Sequence, residues 1–142
     1  MRVVAIDSGG AHTGVAVSDP TGFLTGDVTT IHSRKAEVVL EELVKLVQTY
    51  QVDELVMGFP RNMDGTEGPR AELYRTFAGR VEEATGLKPV LWDERRTTVD
   101  AHRILFDAGK NGKKRKKTVD AVAASLILEG YLEFRRMRGG AA

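Results

Sequence analysis

The chain of 142 residues contains no cysteine. Disulfide staples, thiolate nucleophiles and cysteine-ligated metal sites are thereby excluded, and a reducing cytoplasm is the expected compartment. Its three histidines, His12, His32 and His102, show no H-x-x-x-H pairing, so their spacing predicts no all-imidazole zinc site. A membrane-length apolar run is missing, as is a stretch resembling a signal peptide, so no membrane partner is expected. There is also no excess of one charge: 21 Lys and Arg stand against 20 Asp and Glu, for a net charge of +1. That balance hides a dense cationic run, Lys113-Lys114-Arg115-Lys116-Lys117, with Arg135, Arg136 and Arg138 near the C-terminus. A near-neutral total therefore does not argue against an anionic partner.

The length suits one domain with a real core and is short for two. Residues 1–138 are expected to form it, with 139–142 as a frayed tail. The apolar run Val3-Val4-Ala5-Ile6 reads as a buried strand. A second strand follows over Gly14 to Val17, and a weaker third over Phe23 to Thr30, joined by tight turns into an antiparallel meander. Ser33 can cap a helix whose apolar positions are Ala36, Val39, Leu40, Leu43, Val44 and Val47. Leu55-Val56-Met57 reads as a fourth strand, and Pro60 to Pro69 as a loop by its turn residues. A helix with Leu73, Tyr74, Phe77, Ala78 and Val81 on one face ends at Gly86. Leu87 to Trp92 is the fifth strand. A helix capped by Thr97 or Thr98 runs to Gly109, a basic loop spans Lys110 to Lys117, and Thr118 caps the last helix. The later strands alternate with helices, which implies parallel pairing through right-handed crossovers. The fold class is α/β, a mixed five-stranded sheet flanked by helices.

Ligands in such sheets bind at the carboxyl ends of the parallel strands. Three acids fall where that edge can gather them. Asp7 ends the first strand and opens a glycine-rich turn, Glu94 follows the fifth, and Asp120 lies in the first turn of the last helix. Asp7 and Asp120 have plain readings as a turn aspartate and an acid favoured by the helix dipole, and whichever of Asp93 and Glu94 faces away would orient Arg95 or a backbone turn. Clustered carboxylates repel one another unless a divalent cation joins them, and a neighbouring basic segment attracts phosphates. Together they point to metal-assisted phosphodiester cleavage with Mg²⁺ or Mn²⁺. Adjacent Asp93 and Glu94 should face opposite ways on an extended backbone, leaving only one of them to share a site with Asp7.

Four segments resemble the YqgF family, also called RuvX-like or Holliday-junction-resolvase-like proteins. They are Asp7-Ser8-Gly9 with Gly14-Val15-Ala16-Val17-Ser18-Asp19, Gly58 to Gly68, Asp93-Glu94-Arg95-Arg96-Thr97-Thr98, and Val119-Asp120-Ala121-Val122-Ala123-Ala124. They cover nearly the whole chain in the family's order. The resemblance implies a ribonuclease H-like fold and a bacterial nuclease tied to maturing the 5′ end of small-subunit ribosomal RNA, with junction resolution as the alternative. It carries over Asp7, Glu94 and Asp120 as catalytic and metal-binding acids. The substrate is then an RNA precursor or branched DNA, held by Arg61, Asn62, Arg95, Lys113, Lys114, Arg115, Lys116 and Lys117. A homodimer is compatible with this reading. The sequence departs from the family in its first loop, where His12-Thr13 stands in place of a Lys-Arg pair. Two rivals remain: a nucleic-acid-binding module without catalysis, and a nucleotide binder of the sugar-kinase type, for which the chain is short.

Overall fold

The computed structural model describes residues 1–9, 11–22, 24–59, 68, 70–93 and 112–139, with side chains of the last segment described over 122–137. Five strands form one sheet: β1 (Val3–Ser8), β2 (His12–Ser18), β3 (Thr25–His32), β4 (Glu54–Phe59) and β5 (Val90–Asp93). Their spatial order is β3-β2-β1-β4-β5. The first three pair antiparallel, and β4 and β5 join parallel to β1 and to β4. Among the described residues the helices are α1 (Ala36–Tyr50), α2 (Arg70–Thr85) and α3 (Gly112–Gly139). The mixed sheet expected from the order of apolar runs is therefore present.

Alternation along each strand sends successive side chains to opposite faces. On one face Val4, Ile6, Val15, Val17, Ile31, Leu55 and Met57 pack with Val39 and Leu43 of α1 and Val81 of α2. On the other, Val3, Ala5, Ala16, Val56 and Trp92 pack with Ala124, Ile127, Leu128, Tyr131 and Leu132 of α3. Burying one fully enclosed Leu or Ile contributes about 1.5–3 kcal/mol, so each layer is a substantial source of stability.

Several boundaries differ from the sequence expectation. β2 begins at His12, so His12 and Thr13 are strand residues rather than loop residues, and Thr13 is buried. β3 runs from Thr25 to His32 because its hydrogen-bonded partner β2 extends that far. The residue preceding α1 is Lys35, whose backbone amide donates to Ser33 Oγ at 3.0 Å. Ser33 thus closes a turn before the helix instead of capping it. Leu73, expected on the packed face of α2, is 69% exposed. The largest change is in the last helix, which starts at Gly112 and not at Thr118. Lys and Arg are good helix formers, and nothing between Lys113 and Thr118 breaks the backbone ladder. The basic run is therefore helical. The helix expected between Thr98 and Gly109 lies outside the described residues.

Candidate active site

Asp7 is the fifth residue of β1 and is half-buried at its carboxyl end. Its odd position places it on the face of Val3 and Ala5, the face crossed by α3. Its cross-strand partner on β2 is Gly14. On the other side Gly58 follows Val56 on the same face of β4. The two strand neighbours of Asp7 thus carry no side chain. Gly14 is buried.

Helix α3 is fixed over this face at its far end. The Tyr131 hydroxyl donates to Glu54 Oε1, and Arg135 pairs with Glu54 Oε2 at 3.5 Å. Trp92 packs edge-on against Tyr131 and Phe134, with ring centroids 5.7 and 5.5 Å apart. Burial first, and then the hydrogen bond to Glu54, hold the Tyr131 hydroxyl well above the ordinary tyrosine value. These contacts lie at the start of β4, level with Val3. From there to Asp7 the strand advances four residues, ~13 Å. From Tyr131 back to position 120 the helix spans eleven residues, ~16 Å. The helix is long enough to bring position 120 to the level of Asp7, one turn before Ala124 on the buried stripe.

Asp93 is on the other side. It pairs with Phe59, which alternates with Leu55 and Met57 on the α1 and α2 face. Of the adjacent pair Asp93 and Glu94, Asp93 is thus on the opposite sheet face from Asp7. Glu94, Arg61, Asn62 and Arg95 lie outside the described residues. The backbones of Asp120 and of Lys113 to Lys117 are in α3. Among the described residues no group of three or more His, Asp or Glu side chains could hold a metal ion. A cleft of about 170 Å³ lined by Ser8, Thr13, Arg34, Tyr74 and Phe77 opens beside β1. Thr13 and Ser8 pair with each other and share the α1 and α2 side, so the cleft is not on the face of Asp7.

One pair of side chains escaped the sequence reading. His12 and His32 are directly opposed across β2 and β3. Their Nδ1 atoms are 2.9 Å apart and their rings are edge-to-face at 4.9 Å. No sequence signal announces such a pair, because it depends on the register of two strands.

The family described as RuvX, Holliday junction resolvase, matches residues 1–134. The chain belongs to this family. A relative from Carboxydothermus hydrogenoformans is 44% identical over 135 residues, covering 95% of this chain and 98% of that protein. One from Clostridium botulinum strain Eklund 17B is 46% identical over 133 residues, covering 94% and 97%. Both are described as candidate pre-16S rRNA nucleases. Among solved structures, Thermus thermophilus RuvC in complex with a Holliday junction substrate aligns with a TM-score of 0.61 at 10% identity, covering 97% of this chain and 96% of that one. The Fowlpox virus resolvase bound to Holliday junction DNA aligns at 0.58 and 13% identity, covering 94% and 98%. At such low identity these two bear on the fold alone, and they agree with the ribonuclease H-like architecture that the resemblance implied.

Proposed function

We propose that this RuvX-family chain is a metal-dependent nuclease acting on the 5′ region of a small-subunit ribosomal RNA precursor. The observation that carries the reading is the position of Asp7, at the carboxyl end of the central strand, on the face crossed by the helix that bears Asp120. The full-length relatives described as candidate pre-16S rRNA nucleases support the choice of RNA. The family's description as Holliday junction resolvase supports a four-way DNA junction as the second substrate class.

Asp7, Glu94 and Asp120 are the acids we assign to the metal site. Carboxylate oxygens are hard donors that suit Mg²⁺ or Mn²⁺, and half-buried Asp7 is paired across the ladder with Gly14. When bound, the ion lowers the pKa of a water and offsets charge on the departing oxygen. The protein's own part is to hold the acids on rigid elements: Asp7 on a central strand paired on both sides, Asp120 on a helix anchored through Glu54. Lys113 to Lys117, with Arg61, Asn62 and Arg95, hold the polyanion. The positive end of a helix dipole adds to the attraction of the basic run for phosphate. We place the activity in the cytoplasm, and a homodimer is one form in which it can work.

Cleavage of precursor ribosomal RNA, single-stranded oligonucleotides and four-way junctions with Mg²⁺ and Mn²⁺ tests the proposal. Loss of cutting in Asp7→Asn, Glu94→Gln and Asp120→Asn is expected, with binding retained. Salt-sensitive binding with no cleavage under any divalent ion leaves a non-catalytic binding module instead. Replacing Lys113, Lys114, Lys116 and Lys117 with Ala should weaken binding of unrelated sequences alike and flatten its salt dependence. An unchanged salt slope removes the basic run from the nucleic-acid path.

A further inference from the structure

His12 and His32 stand on the same sheet face as Asp7. The ladder pairs Asp7 with Gly14 and Gly14 with Thr30, and the next row toward the edge on that face pairs His12 with His32. His12 is thus the diagonal neighbour of Asp7, a separation of ~7–8 Å. Both imidazoles are exposed, and β3 is an edge strand of the sheet.

From this arrangement we infer a second cation site, formed by His12 and His32 and selective for a borderline transition metal such as Zn²⁺, Ni²⁺ or Cu²⁺. Two nitrogen donors each ~2.0–2.1 Å from one ion stand about 2.9 Å apart at a right angle and about 3.3 Å apart at a tetrahedral one. The observed Nδ1 to Nδ1 separation of 2.9 Å falls at that spacing. At present one ring donates its Nδ1 proton to the other. With both rings as the Nε2–H tautomer, the two Nδ1 lone pairs can share an ion in place of that proton. Solvent exposure lets each ring turn to aim its lone pair and leaves the remaining positions to water. Imidazole nitrogens favour these ions, whereas Mg²⁺ favours oxygen. The face therefore carries two chemically distinct cation sites one row apart. The histidine site does not depend on the assignment of the acids. The spacing of the histidines along the sequence gave no hint of it, because strand pairing and not a helical repeat brings them together.

Titration calorimetry of the full chain without a histidine tag, with Zn²⁺ against a background of excess Mg²⁺, tests the site. Wild type should bind one Zn²⁺, and His12→Ala and His32→Ala should each weaken it about tenfold or more, the double variant losing little beyond either single one. Asp7→Asn should bind Zn²⁺ as wild type does. Electron paramagnetic resonance of the Cu²⁺-loaded chain should show two coordinated nitrogens in wild type and fewer in His32→Gln. Wild-type Zn²⁺ affinity in His12→Ala overturns the proposal. So does a loss in Asp7→Asn equal to that of the histidine variants, or a failure of wild type to bind Zn²⁺ at all.

Discussion

On the face packed by α1 and α2 the strands present Val4, Ile6, Val15, Val17, Ile31, Leu55 and Met57, whereas under α3 the same strands present Val3, Ala5, Ala16 and Val56. Continuing along the second set leads to Asp7, Gly14, Gly58 and the His12–His32 pair. Bulky aliphatic side chains hold two helices at a distance and exclude polar chemistry. Alanine and glycine let one long helix come close, and polar groups appear where the apolar layer ends. The proposed chemistry belongs to the face built from small residues, and the bulk of the aliphatic packing is on the other.

The largest expected effect tests that division through two aspartates. Asp7→Asn should lower cleavage on the order of 10³-fold, ~4 kcal/mol of transition-state stabilisation, without changing the thermal midpoint. Asp93→Asn, on the α1 and α2 face, should leave the rate within about twofold. Equal losses in the two variants would dissolve the distinction between the faces.

On stability, the aliphatic face should respond most to lost volume. Leu43 is buried at 1% exposure, and Leu43→Ala should cost about 2–5 kcal/mol in urea unfolding. The small-residue face should respond to added volume instead. Ala16, fully buried beneath α3, should be intolerant of Leu, at about 1–3 kcal/mol, because the helix has to move outward. A neutral Ala16→Leu would show that α3 does not depend on close approach.

The smallest effect concerns the anchor of α3 and is visible only with pH. The folded protein retains the Tyr131 proton that the unfolded chain releases above about pH 10. The resulting stabilisation is fully present below that pH and fades as pH rises toward the raised folded value. Tyr131→Phe should remove this part of the alkaline slope, so the stability gap between wild type and variant should narrow from about pH 8 to about pH 11. A gap independent of pH would mean that Tyr131 keeps the same proton affinity in both states.

The strands and the apolar stripes of the helices were legible because each rests on chemistry between near neighbours. Val3-Val4-Ala5-Ile6 is a strand by composition, and Val39 and Leu43 lie one helical turn apart on α1. Asp7, Glu94 and Asp120 stand out through the family resemblance, Asp7 also as the acid near the end of β1, whereas Asp120 is the ninth residue of α3 and not in its first turn as expected. The start of α3 was misplaced because a lysine run reads as a loop by charge, although its residues favour helix. Leu73 was misplaced because periodicity gives a stripe, and packing decides how much of the stripe is covered.

What the sequence determined by itself is therefore the described strands and helices, their order, and the residue types available for chemistry. Only the tertiary structure decided which face each residue takes. A shift of one residue in the pairing of β1 would have sent Asp7 to the side of α1 and α2, and Asp93 is on that side through its register with Phe59. The meeting of His12 and His32, twenty residues apart, likewise exists only because β2 and β3 pair in one register. Periodicity is written in neighbouring residues, whereas register is set by hydrogen bonds and buried side chains between segments distant along the chain, which no local pattern contains.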